Sequence, residues 1–117
     1  MKRLTTLCVA PSVLLAAGAA LAATVPIAVT PATVTPGGVV TVHASDSPCL
    51  SGDQVALIST VFPGHAFGQG AIYGRVYQHG AFTVKADIRS NVHAGRYRIG
   101  FRCGGGNLGV SAYVRVG

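Results

Sequence analysis

The chain has 117 residues, nine lysines and arginines against three acidic residues, and three cysteines. That length allows one domain, and three carboxylates leave little material for chemistry that needs them in pairs. A mean hydropathy of +0.50 is inflated by the N-terminal stretch and does not indicate a membrane protein.

In chain order, the first expected element is an export signal. Lys2 and Arg3 form a basic start, Leu4 to Leu21 is apolar and alanine-rich, and Ala20-Leu21-Ala22 supplies a small-x-small cleavage pattern. The expected organisation is a signal peptide over 1–22 and one domain over 23–117, released by the general secretory route because no twin arginine is present. Retention as a membrane anchor is the alternative, opposed by Pro11 and Gly18 within the run. No later stretch is apolar enough to span a bilayer, so the expected product is secreted and free of the membrane.

Beyond the signal, no apolar pattern repeats with helical spacing. Short runs rich in Val, Ile, Tyr and Phe predict strands near 25–29, 39–44, 54–60, 71–77, 81–88, 96–103 and 109–116. "TPATVTPGG" reads as a proline-stiffened crossing from the first strand to the second, "QHG" and "SNVHAG" as turns, and "CGGGNLG" as the connection of a terminal hairpin. Several strands alternate with a period of two. Phe82, Val84, Ala86 and Ile88 oppose Thr83, Lys85, Asp87 and Arg89. Tyr97, Ile99, Phe101 and Cys103 oppose Arg96, Arg98, Gly100 and Arg102, while Val110, Ala112, Val114 and Val116 oppose Ser111, Tyr113 and Arg115. Half-buried strands alternate in this way, and the pattern predicts an all-β antiparallel sandwich of about seven strands.

A domain of about 95 residues is near the lower limit for a self-sufficient core, so a covalent tie would help. Cys8 leaves with the signal, and Cys49 and Cys103 remain as an even pair in an oxidising compartment. They predict one disulfide, since no Cys-x-x-Cys or Cys/His cluster suggests a metal or redox pair.

"VTPATVTPGGVVTVHASDSPC" followed by "GRYRIGFRC" resembles the small secreted immunoglobulin-like modules common in actinobacteria. The resemblance implies an immunoglobulin-like sandwich with a widely spaced cysteine pair. Tyr97 lies six residues before Cys103, where antibody domains have a tyrosine two before, and no tryptophan exists to pack on the bridge, which argues against a close antibody-type relative. Residues 25–44 are also similar to the start of the neocarzinostatin-type apoproteins, which hold an enediyne chromophore. Those have two disulfides where this chain can form one.

Specific catalytic chemistry is not spelled out. "GGGNLG" satisfies the Gly-x-Gly-x-x-Gly pattern but runs into a strand instead of opening a helix. No Gly-x-Ser-x-Gly elbow is present, and His43, His65, His79 and His93 lack metal-ligand spacing. The expectation is therefore no enzyme, no metal and no cofactor. One face does stand out. If the last two strands pair, Arg96, Arg98, Arg102, Tyr113 and Arg115 share it, and strand 71–77 would add Tyr73, Arg75 and Tyr77 in an immunoglobulin-like order. Arginine offers planar paired donors to anions, and tyrosine offers flat contact area. A solvated sheet face has the same composition. The expected function is a secreted, non-catalytic binding module contacting an anionic cell-wall polymer or an acidic protein surface, with nucleic acid disfavoured by export. Two alternatives are a chromophore-like small-molecule carrier with an apolar pocket near Phe62, Phe67 and Tyr73, and a small hydrolase. Oligomeric state is not encoded legibly.

Overall fold

The computed structural model describes residues 25–104 and 106–117; the signal segment 1–22 and its cleavage site lie outside these. Eight strands occur among the described residues: β1 (Ile27–Thr30), β2 (Thr33–Val34), β3 (Val39–Ala44), β4 (Gln54–Ser59), β5 (Gly70–Arg75), β6 (Phe82–Asp87), β7 (Gly95–Cys103) and β8 (Gly106–Val116). They form a three-stranded sheet in the order β1-β3-β6 and a five-stranded sheet in the order β2-β8-β7-β4-β5. Two antiparallel-dominated sheets in these orders make an all-β, immunoglobulin-like sandwich.

One strand was not expected. Thr33 and Val34, inside the stretch read as a crossing, pair with Arg115 and Val116 in parallel, the one parallel ladder among otherwise antiparallel described pairs. The first strand therefore splits around Pro31-Ala32 and serves both sheets. Proline lacks the N–H that a continuous ladder would need there. The terminal hairpin is tighter than expected: Cys103 already pairs with Gly106, so Asn107 to Gly109 belong to a strand.

The period-two reading places the core correctly. Val40, Val42 and Ala44 on β3 and Phe82, Val84 and Ala86 on β6 are buried against Val55, Leu57, Ile99, Phe101, Val114 and Val116 of the other sheet. Phe82 and Phe101 meet across the layers with ring centroids 6.0 Å apart and a tilted geometry.

The disulfide is formed between Cys49 and Cys103, with Cα atoms 5.9 Å apart. Cys49 lies just beyond β3 and Cys103 ends β7, so the bridge closes one end of the sandwich. Ser47 reinforces that end: its hydroxyl donates to the Gly80 carbonyl at 2.6 Å and accepts from the Cys49 N–H at 3.3 Å.

Tyr97 sits near the start of β7, and its hydroxyl donates to the His93 carbonyl four residues upstream at 2.7 Å. The arrangement resembles the tyrosine corner of immunoglobulin domains. Its spacing from the cysteine differs because the cysteine lies further along the strand. Tyr97→Phe removes that bond and should lower the unfolding free energy by about 1 kcal/mol, measured by urea titration.

Candidate functional site

The outward face of the five-stranded sheet carries the residues singled out from sequence, but not as a uniform basic surface. On β7 and β8, Arg96 stands directly opposite Arg115 and Arg98 opposite Tyr113. The Arg96 guanidinium lies over the Tyr113 ring, 3.8 Å from its centroid. Arg98 donates from Nε to the Ser111 hydroxyl at 2.8 Å. Tyr73 and Arg75 are on β5, separated from β7 by β4, and Arg75 donates from Nη1 to the Gly52 carbonyl at 3.0 Å. Tyr77 lies past the end of β5, in the turn before β6, where its N–H donates to the Ala81 carbonyl.

Between the two groups runs an apolar strip. Ala56 and Ile58 project outward from β4 yet are buried, as is Ala71 beside them, and Ala66 packs on this cluster. The cover comes from residues 62–69, which fold back over the sheet. Ala66 and Gln69 exchange backbone hydrogen bonds of 2.8 and 2.9 Å around Phe67-Gly68, both at positive φ. This is a two-residue hairpin turn of the primed kind that suits twisted strands.

The hairpin leaves a cleft of about 340 Å³ against the sheet, lined by Ile58, Phe67, Gln69, Arg98, Gly100, Phe101, Arg102 and Asn107. That is the small end of the usual range for small-molecule sites. Gly100 belongs to the outward row Arg96, Arg98, Gly100, Arg102 and opens the floor: a Cβ there would come no nearer than 3.9 Å to another atom. A glycine within a strand often marks a bulge or a close approach, and here it has open space above it and a bulge beside it. The β7–β8 register slips between Gly100 and Arg102. Gly109, at positive φ, donates its N–H to the Asn107 side chain at 2.6 Å. The Arg102 guanidinium stands 5.0 Å from the Phe67 ring centroid.

Of the residues expected on the contact face, Arg98 and Arg102 enter this cleft; Arg96, Tyr113 and Arg115 adjoin a shallower depression by β2. Of the three aromatics named for an apolar pocket, Phe67 lines the cleft, Phe62 is buried in the core, and Tyr73 lies outside the lining. Ile58, Gln69, Gly100 and Asn107 were missed. The available sign was the run Val55 to Ser59, buried at every position: a strand apolar on both sides implies that something covers its outer face.

The four histidines and three aspartates do not assemble. Among the described residues no group of three or more His, Cys, Asp or Glu could hold a metal. His43 shares a hydrogen bond with Thr83, and Asp53 accepts from the Leu50 N–H. No described helix is long and apolar enough to cross a membrane.

The fold and the cleft together define an immunoglobulin-like sandwich with a walled cleft on one sheet. Among solved structures, macromomycin, an apoprotein of the neocarzinostatin type, matches with a TM-score of 0.54 at 18% identity, over 80% of this chain and 100% of that one. At that identity the likeness is one of fold. The Pseudomonas fluorescens alkylpurine DNA glycosylase bound to DNA with an abasic-site analogue matches 79% of this chain and 30% of its own, at 20% identity. Its TM-score of 0.42 is too low to bear on fold or function. No protein-family model and no curated protein matches the chain.

Proposed function

We propose that the protein is a secreted, non-catalytic small-molecule carrier whose ligand sits in the cleft between the five-stranded sheet and the 62–69 hairpin. The observation that carries this reading is the cleft's construction: an open floor at Gly100 and Ile58, an aromatic wall at Phe67, and polar groups at Arg98, Arg102 and Asn107. Small-molecule sites combine apolar surface with placed polar groups; this lining has both, with polar surface in excess, which suits a ligand that carries a polar group of its own. Likeness in fold to a chromophore-carrying apoprotein supports the same reading, as does the disulfide, which suits an oxidising exterior.

The test uses the space over Gly100. Gly100→Leu fills the cleft from its floor, with its Cβ in ordinary contact, 3.9 Å from the Ile58 carbonyl oxygen. Wild type and variant are titrated with three aromatic dyes: anionic 8-anilinonaphthalene-1-sulfonate, neutral N-phenyl-1-naphthylamine and cationic proflavine. At least one should bind wild type at one-to-one stoichiometry and lose about tenfold or more in affinity in the variant, with thermal stability kept. Equal binding of every dye to both proteins overturns the carrier reading.

Contact with an anionic polymer is a second reading, favoured by Arg96 and Arg115. They face each other across the ladder outside the main cleft, and like charges so placed oppose each other unless an anion joins them. Pull-down on purified wall polymer with an Arg96→Ala/Arg115→Ala variant tests it: binding by wild type that the variant loses supports it, and unchanged binding removes it.

A further inference from the structure

We infer that the ligand of this cleft is a flat aromatic anion, a ring system bearing a carboxylate, sulfonate or phosphate, gripped between Arg98 and the ring of Phe67. The inference rests on the carrier reading and adds the ligand's charge and shape.

Charge comes from the lining. Two guanidiniums and no carboxylate line the cleft. Arg98 is held in place by the 2.8 Å bond from Nε to Ser111, and that is the hydrogen bond its side chain makes among the described residues. Its two Nη groups remain as a fork of paired donors, the geometry that matches a carboxylate or phosphate. A cationic ligand would meet the Arg98 charge in a cleft that no carboxylate lines. A neutral ligand would take water from Arg98 and return no acceptor of equal strength.

Shape comes from the hairpin. Phe67 is 58% exposed, with φ of 55°, at the first central position of a two-residue turn. Asparagine or glycine suits that position, and a bulky side chain there is an outlier. Both the exposure and the backbone conformation are unfavourable for a phenylalanine, and both are explained if its ring is presented to a partner. Arg102 already stacks over that ring from 5.0 Å. Gly100 in the same lining carries no side chain, so a ring laid against Phe67 meets none there.

Two substitutions separate this from a structural account. Arg98→Met keeps the stem and removes the charge. Phe67→Asn installs the residue the turn favours, so a purely structural Phe67 predicts equal or higher stability and unchanged binding. We expect 8-anilinonaphthalene-1-sulfonate to bind wild type at least about tenfold more tightly than either N-phenyl-1-naphthylamine or proflavine, and Arg98→Met and Phe67→Asn each to weaken it about tenfold with the melting temperature not lowered. Tighter binding of the neutral or cationic dye, with sensitivity to Gly100→Leu retained, overturns the anion inference and leaves the carrier reading standing. Anionic-dye affinity unchanged by Arg98→Met or by Phe67→Asn also overturns it. Dye binding indifferent to Gly100→Leu removes both.

Discussion

Replacing both bridge cysteines, Cys49→Ser with Cys103→Ser, is expected to lower the unfolding free energy by about 4 kcal/mol, within a range of about 2–5. The bridged residues are 54 apart in sequence, and closing a loop of that size removes much of the unfolded chain's freedom. The folded side of the comparison points the same way. Cys49 is buried, and the Ser47 hydroxyl ties its backbone to the Gly80 carbonyl, so the bridge anchors a polar junction in the β3–β4 loop to the end of β7. A small domain has about 5–15 kcal/mol in total, so a loss of this size removes from about a quarter to most of it. Denaturant titration of the purified, oxidised wild type and the double variant, both without reductant, reads the difference. A loss under about 1 kcal/mol would show that the sandwich is held by its core alone. Because Cys103 follows Arg102, the variant should also bind the anionic dye more weakly at temperatures where it is still folded.

The sandwich itself was legible because alternation is a local property. Phe82 to Arg89 and Tyr97 to Cys103 sort into faces by counting in twos, and the buried set follows that count. The disulfide was legible by arithmetic, once Cys8 was assigned to the signal. Tyr97 was harder to interpret. Its distance from Cys103 departs from the antibody pattern, yet its hydroxyl bonds back to the His93 carbonyl, a bond not expected from the sequence. Corner geometry depends on the turn upstream of the tyrosine, and the position of a cysteine downstream leaves it unchanged.

The cleft was not legible, for reasons that lie in particular residues. "FPGHAFGQG" lacks the Asn-Gly or Asp-Gly pair that announces a tight hairpin, because phenylalanine takes the place asparagine usually fills. Without the hairpin there is no wall, and Arg98 and Arg102 look like part of an open basic face. Strand β2 escaped for a similar reason. Two residues between prolines carry no periodicity, and their pairing with β8 is set by chain ends far apart in sequence.

Gly70→Ala is expected to be among the most damaging single substitutions in the chain, at about 3 kcal/mol, the upper part of the usual overpacking range. A Cβ at Gly70 would lie 1.8 Å from the Phe62 carbonyl oxygen and 3.0 Å from that of Pro63. These are backbone atoms and cannot swing aside. Phe62 is fixed in the core, and Ala71 donates its N–H to the Pro63 carbonyl at 3.0 Å, so relief requires lifting the base of the hairpin off the sheet. The melting temperature should fall by roughly 12–24 °C for a domain of this size. Below the new transition, dye affinity should fall as well, since the same displacement carries Phe67 away from Arg98. Gly100→Ala is the matched comparison, a glycine of the same sheet with open space above it, and it should leave the melting temperature within a few degrees of wild type. Failure of Gly70→Ala to fold while Gly100→Ala folds normally would agree with this account. Equal stability of the two variants would mean that the hairpin does not rest on the sheet at Gly70, and the wall of the cleft would then have no fixed base.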